Sequence, residues 1–104
     1  MKILLNTDSH VQNDPSLVRH AEETVTAALQ HHAERITRVE VHVRDLNADR
    51  NGGQDKRCVI EARMNNQPPL TASDDADTVA NAVTGAAKKL QRVIDTVVGK
   101  LAQP

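Results

Sequence analysis

Alternating apolar and polar positions predict two strands in the middle of the chain. In residues 38–44 every second residue is Val, and the residues between them are charged or His. In residues 56–64, Cys, Ile, Ala and Met alternate with mainly charged side chains. A period of two indicates a strand with one buried face, so the other face of the sheet is expected to carry charge. The segment 45–55, rich in Asn, Asp and Gly, is expected to be a mobile connection outside the core.

Two shorter apolar segments predict further strands. Residues 2–6 contain three consecutive apolar side chains, which is consistent with a short buried strand. Residues 70–73 follow Pro68 and Pro69, and proline cannot donate a hydrogen bond to a central ladder. We therefore expect residues 70–73 to form a short strand at a sheet edge.

Apolar residues at three- and four-residue steps predict a first helix. Asp14 stands before Pro15, a good start because Asp accepts hydrogen bonds from free amides and Pro loses nothing at the first helical position. The apolar face continues as far as Ile36, so the helix is expected to reach about Arg35. His32 lies on that face, where we expect it to be half-buried and hydrogen-bonded.

A longer amphipathic pattern predicts a last helix from about Ala76. Ser73, Asp74 and Asp75 are expected to cap it, because short polar side chains accept hydrogen bonds from the amides of a first turn. Gly85, with alanines around it, is expected to let this helix approach a neighbour closely. The residues expected to face inward are Val79, Val83, Ala86, Leu90, Val93, Ile94, Val97 and Leu101.

The predicted order is therefore β-α-β-β-β-α, an α+β fold. Each helix has one apolar face and each central strand has one apolar side. The simplest packing places both helices on one face of a four-stranded mixed sheet. A chain of 104 residues can bury one modest core, and we expect residues 1–104 to form a single domain.

The absence of Phe, Tyr and Trp limits which side chains can build the core and how the chain can recognise a partner. The core must be built from aliphatic side chains, Met and Cys. Sheet-type readers of single-stranded RNA stack bases on aromatic side chains. If the chain binds nucleic acid, it is therefore expected to read the phosphate backbone and the shape of the RNA.

Cationic side chains are concentrated in two parts of the chain. The net charge is −1, but residues 35–63 hold seven basic and five acidic residues, and residues 88–104 hold four basic and one acidic residue. Clustered cations on a rigid surface favour an anionic partner. The candidate RNA-binding residues are Lys88, Lys89, Arg92 and Lys100 on the last helix, and Arg44, Arg57 and Arg63 on the strands.

Structural roles for these charges remain open at this point. A solvated polar face would also place lysines outside the apolar stripe of the helix, and Lys100 would suit the negative end of the helix dipole. On the strands, Glu40 and Glu61 lie among the arginines and could account for them through cross-strand ion pairs.

Motifs for catalysis and for metal binding are missing from the sequence. There is no nucleophile elbow and no phosphate-binding glycine loop, so neither an enzyme nor a cofactor is expected. His31 and His32 are adjacent and would point about 100° apart on a helix. The single cysteine, Cys58, has no CxxC partner. We therefore expect no metal site and no disulfide, and a buried apolar role for Cys58.

No segment of the sequence predicts a membrane or an export role. The longest apolar runs are far shorter than the roughly 20 residues that span a bilayer. The N-terminal segment becomes polar too early for a secretory signal. A cytoplasmic location without membrane contact is expected, and a single cysteine fits a reducing compartment.

Three segments carry a family resemblance: RVEVHVRD at 38–45, DKRCVIEARMNNQPP at 55–69 and ADTVANAVTGAAKKLQRVIDTVVGKL at 76–101. They resemble the ribosome hibernation-promoting factor family, which includes ribosome-associated inhibitor A and is also called the sigma-54 modulation protein family. The resemblance implies a fold similar to a double-stranded RNA-binding domain. It also implies binding to the small ribosomal subunit and its 16S rRNA, in the channel used by messenger and transfer RNA, under starvation or in stationary phase. Lys89 and Arg92 match the KLxR pattern of the family.

The chain differs from better-known members in two places. They carry further lysines after KLxR, where this chain has Asp95 and Thr96, and within the first helix, where it reads EETVTAAL. The resemblance is to the short, single-domain branch, without the C-terminal domain that pairs two ribosomes. The missing lysines leave a second hypothesis open. It is a protein-interaction module on the same fold, forming a weak homodimer through an exposed sheet edge or face, without ribosome binding.

Overall fold

The computed structural model describes residues 1–9, 11, 14–46 and 55–102. Its elements are β1 (Lys2–Thr7), α1 (Pro15–Leu29), a 3₁₀ turn (Gln30–His32), β2 (Ile36–Asp45), β3 (Lys56–Met64), β4 (Leu70–Ala76) and α2 (Val79–Leu101). The order β-α-β-β-β-α confirms the predicted α+β fold. Most of the predicted mobile connection, residues 47–54, lies outside the described residues.

The four strands form one mixed sheet in the order β1-β2-β3-β4. β1 is parallel to β2, whereas β2 and β3, and β3 and β4, are antiparallel. A parallel pair needs a long crossover connection, and α1 supplies it. As predicted, β4 lies at an edge of the sheet.

Both helices pack on the same face of this sheet. The alternation of β2 buries Val39, Val41 and Val43 completely or nearly so, and β3 buries Cys58 and Ile60 in the same layer. α1 and α2 contribute the facing side of the core and also contact each other. Among the described residues the core is aliphatic apart from Cys58 and Met64, as the composition requires.

α1 begins where the sequence predicts and ends earlier. The Asp14 side chain accepts a hydrogen bond from the Leu17 amide at 2.8 Å, and its pKa is lowered by hydrogen bonds from Ser16 and then Leu17. The predicted continuation to about Arg35 is wrong, because the chain tightens into a 3₁₀ turn after Leu29. Ile36 is instead the first residue of β2.

β4 is longer than predicted, and α2 begins later. Asp74 and Asp75 belong to β4, so their predicted role as helix caps is wrong. The N-cap of α2 is Thr78, whose hydroxyl accepts a hydrogen bond from the Asn81 amide at 3.1 Å. Ser73 is likewise a β4 residue and does not cap the helix.

The C-terminal part of α2 extends past the core. A helix of 23 residues is about 34 Å long, whereas β4 with 7 residues is about 23 Å long. Ile94 is the last fully buried residue of α2. Leu101, predicted to face inward, is 50% exposed, because the helix is longer than the strand on which it packs.

The two ends of the connection between β2 and β3 are held together. The Leu46 amide donates to the Asp55 carbonyl oxygen at 2.8 Å. Asp55 is buried, in contrast to the prediction that the whole segment lies outside the core, and its carboxylate binds Lys56 Nζ at 2.8 Å. Burying this carboxylate is tolerable because a cation accompanies it.

Candidate nucleic-acid interface

The four candidate cations of α2 lie on its exposed side. Lys88 and Arg92 are four residues apart and therefore share one helix face. Lys88 borders a groove between α1 and α2. Lys100 lies eight residues beyond Arg92, about 12 Å along the axis. No ion pair involves Lys88, Arg92 or Lys100 within the described ranges, so their charges are available to a partner.

Lys89 differs from these three because it points toward the sheet edge. Its Nζ atom binds Asp74 Oδ1 at 2.7 Å. Asp74 is directly opposite Cys58 in the register of β3 and β4, so it lies on the helix-facing side of β4. The charge of Lys89 in the candidate interface is therefore already paired with the Asp74 carboxylate.

Gly85 explains how Asp74 can lie beneath α2. A Cβ atom at this position would be 1.7 Å from Asp74 Oδ2, which no structure could accommodate unchanged. The predicted close approach of the helix at Gly85 is therefore confirmed, and its neighbour is the Asp74 side chain of β4.

The sheet face away from the helices carries the other three candidates, Arg44, Arg57 and Arg63. The strand register places like charges opposite each other: Arg44 faces Arg57, and Glu40 faces Glu61. Like charges directly opposite one another are destabilising. Neither Glu40 nor Glu61 therefore has a cation directly opposite it in this strand pair.

The ion pairs on β2 and β3 run along each strand. Glu61 Oε1 accepts from Arg63 Nε at 3.2 Å, two residues along β3. On β2, Glu40 binds Arg38 in the same arrangement, and this hydrogen bond is the main cause of the lowered pKa of Glu40. The hydrogen-bonded partners of Glu40 and Glu61 are thus arginines of their own strands, and the charge of Arg63 on β3 also contributes to the lowered pKa of Glu40.

Arg57 forms a two-point ion pair across the strands. Its Nε and Nη2 atoms donate to the two carboxylate oxygens of Asp75 on β4, at 2.8 and 3.0 Å. The hydrogen bonds lower the pKa of Asp75 and raise that of Arg57. Neighbouring Arg44 is exposed and has no such partner among the residues that the structure describes.

The sheet cations and the helix cations meet at the β4 edge. An open cleft of about 390 Å³ is lined by Arg57 and Asp75 from the sheet face and by Lys89 and Asp74 from the helix side. Arg44 is the register partner of Arg57, but it lies on β2 and lines a different cleft beside β1. The structure thus brings Arg57 and Lys89 together at the β4 edge.

The remaining candidates lie farther from this cleft. Arg63 is six residues from Arg57 along β3, about 20 Å away. Lys88 is on the α1 side of α2, and Lys100 is near the C-terminal end of the helix. Of the candidate cations, Arg57 and Lys89 therefore line the cleft at the β4 edge, and the others lie outside it.

Asp74 and Asp75 belong to the candidate interface but were not predicted from the sequence to lie there. The signal was present, because inward Leu70 and Ala72 alternate with outward Thr71 and Ser73. Continuing the same alternation for two more residues would have placed the aspartates on opposite faces of β4. Their side-chain type favoured the interpretation as helix caps instead.

A second open cleft, of about 520 Å³, lies between the starts of α1 and α2. Its polar side chains are already engaged. Lys56 is bound to Asp55 at 2.8 Å, and Asp14 caps α1. His20 Nε2 lies 3.2 Å from the Ala80 carbonyl oxygen. These contacts hold the helix ends in place, and the Ser16 hydroxyl in the same cleft donates to the capping Asp14 carboxylate at 2.7 Å.

Other titratable side chains also have structural partners. His32 is half-buried, as expected, and its Nε2 atom lies 2.6 Å from Asp95 Oδ1 of α2. Cys58 is fully buried, also as expected, and burial together with the nearby Asp74 charge raises the pKa of its thiol to about 12. In the described part of the chain, no three His, Cys, Asp or Glu side chains are grouped to hold a metal ion.

Comparison with known proteins shows the family. The model for the sigma 54 modulation protein / S30EA ribosomal protein family matches residues 6–102. Because this match covers nearly the whole chain, the chain belongs to that family, which confirms the resemblance seen in its sequence. No curated protein matches the chain significantly in sequence.

Two solved structures share the fold. A ribosomal subunit interface protein from Coxiella burnetii superimposes with a TM-score of 0.78 at 14% identity, covering 95% of this chain and 99% of the other. The N-terminal domain of Thermus thermophilus Protein Y superimposes with a TM-score of 0.73 at 11% identity, covering 93% and 99%. At these identities the similarity establishes the architecture.

As to membranes, neither helix in the described residues has the length and apolarity needed to cross one.

Proposed function

We propose that this chain is a non-enzymatic ribosome-associated factor that binds the small ribosomal subunit and blocks translation under stress. Family membership and the fold shared with a ribosomal subunit interface protein support the partner. The observation that carries the proposal for the site is the exposed α2 face with Lys88 and Arg92, whose charges no described carboxylate neutralises. We place this activity in the cytoplasm.

The proposed contact is with RNA phosphates in the channel used by messenger and transfer RNA. Without aromatic side chains, the chain has no platform on which to stack bases. Cations on a straight helix can instead follow a phosphate backbone and recognise its shape. Lys88, Lys89 and Arg92 would make the central contacts, with Arg44, Arg57, Arg63 and Lys100 at the margins. A chain seated there would exclude messenger RNA by occupying its path.

Co-sedimentation with purified small ribosomal subunits tests this proposal. The chain is expected to sediment with the subunits at low salt and to be released as salt rises, because each phosphate contact adds about 0.7–0.9 to the slope of log affinity against log salt. A matched run with large subunits tests the choice of subunit. Absence of the chain from the small-subunit pellet at every salt concentration would refute the proposal.

A homodimeric interaction module is the second candidate. β4 is an edge strand of 7 residues, and an edge offers unpaired backbone groups to another strand. The ion pairs of Arg57 and Arg63 also reduce the charge that the sheet face offers to RNA. Light scattering distinguishes the two candidates: a stable dimer that fails to bind small subunits would favour the interaction module.

A further inference from the structure

We propose that Asp74 and Asp75 compete with RNA phosphate for Lys89 and Arg57, and thereby set the affinity of the chain for RNA. This inference rests on the proposed function, because it concerns the same cationic surface. It assigns an affinity-determining role to two acidic residues that do not themselves contact the RNA.

The geometry places one aspartate against each cation. Asp74 Oδ1 is 2.7 Å from Lys89 Nζ on the helix side of β4, and Asp75 holds both Nε and Nη2 of Arg57 on the other side. All four side chains line the same open cleft at the β4 edge. A phosphate entering this cleft would meet two cations that are each already bound to a carboxylate.

Carboxylate and phosphate use the same donors. A guanidinium binds either group through two parallel hydrogen bonds, so Arg57 cannot give the same two atoms to Asp75 and to a phosphate at once. Both aspartates belong to β4, and each lies beside its cation. A carboxylate is therefore always present at the site. RNA must therefore displace the carboxylates or use only the cations around the cleft.

Gly85 is part of this arrangement. It leaves the space that the Asp74 carboxylate occupies, since a Cβ atom there would be 1.7 Å from Oδ2 and 2.7 Å from Cγ of Asp74. Gly85→Ala is therefore expected to displace the carboxylate from Lys89 without changing the charge of the chain. It also replaces a poor helix former by a good one, which favours folding of α2.

The test is the affinity of Asp74→Asn, Asp75→Asn and the double variant for purified small ribosomal subunits over a series of salt concentrations. Each single variant should bind about two- to fivefold more tightly than the original chain, the range that corresponds to one exposed ion pair. Each freed cation should also steepen the salt slope by about 0.7–0.9. Gly85→Ala should change binding in the same direction as Asp74→Asn.

Asp77→Asn is the matched control. It removes the same unit of charge, three residues from Asp74 and two from Asp75, but Asp77 accepts a hydrogen bond from Asn81 rather than binding a cation. A gain that equals this control would mean that net charge alone is responsible, and the inference would be overturned. Thermal melting of each variant checks that the fold is retained.

The outcomes separate the two proposals. If the original chain binds small subunits and the Asp74 and Asp75 variants bind no more tightly than Asp77→Asn, the competition is refuted while the proposed function stands. If only the Asp74 or Asp75 variants bind, the proposed function of the original chain is refuted, whereas the competition for the two cations is supported. If neither the original chain nor any variant binds, both proposals fail, because freeing the two cations has not created a phosphate-binding surface.

Discussion

Arg44 and Arg57 are opposite each other on β2 and β3, yet only Arg57 has a carboxylate partner among the described residues. The sequence predicts that both are exposed, because the alternation assigns each residue to a face. It does not say which residues of different strands are neighbours, because that depends on register. At the scale of single residues, the positions of the cations were therefore predictable, whereas their ion pairs were not.

Cys58 gives a prediction at the same scale. The pKa of its thiol is about 12 in the folded chain, against an ordinary value of 9.0. As pH rises, the thiol of the unfolded chain therefore loses its proton first. The free energy of unfolding should fall by about 1.4 kcal/mol per pH unit above pH 9 from this group. Chemical denaturation between pH 8 and about 10 measures the effect.

Cys58→Ala is the control for that measurement. It lacks a titrating group at this position and should show a shallower dependence of stability on pH over the same range. Equal slopes for the two proteins would mean that the thiol ionises at the same pH in the folded and the unfolded chain.

At the scale of elements, the type of each predicted helix and strand was correct and several boundaries were not. Ile36 is buried and fits the apolar face of a helix as well as the buried side of a strand, so periodicity could not decide between them. Asp74 and Asp75 are as suitable for capping as Thr78 by residue type. Only the hydrogen bonds of β4 with β3 show that the strand continues to Ala76.

The position of the α2 cap leads to a prediction about that helix. Thr78→Ala should lower the free energy of unfolding by about 1 kcal/mol, because it removes the acceptor for the Asn81 amide. Ser73→Ala, at an exposed position of β4, should change it by less than about 0.5 kcal/mol. Urea denaturation of both variants measures the difference, and a larger effect at Ser73 would contradict the assignment of the cap.

At the scale of the whole molecule, the packing of both helices on one face divides the candidate cations between opposite faces of the sheet. The sequence predicts this packing, because each helix and each central strand has one apolar side. The cleft that joins the faces at the β4 edge was not predictable, since it requires Asp74 and Asp75 in the strand and the space at Gly85. In this arrangement we expect RNA phosphates to contact the cationic side of α2.

Reversing the charges of Lys88 and Arg92 is the sharpest test of this contact. These residues are preferable to Lys89, because a glutamate at that position would face Asp74. The readout is the inhibition of protein synthesis in a cell-free extract by Lys88→Glu/Arg92→Glu, compared with the original chain. The matched control is Arg19→Glu/Arg35→Glu, which makes the same change in charge at exposed positions outside the candidate interface. We predict at least about a tenfold loss of inhibition, equivalent to about 1.4 kcal/mol, for the α2 variant and little loss for the control. Equal inhibition by the original chain and by the folded α2 variant would mean that Lys88 and Arg92 do not contact the RNA.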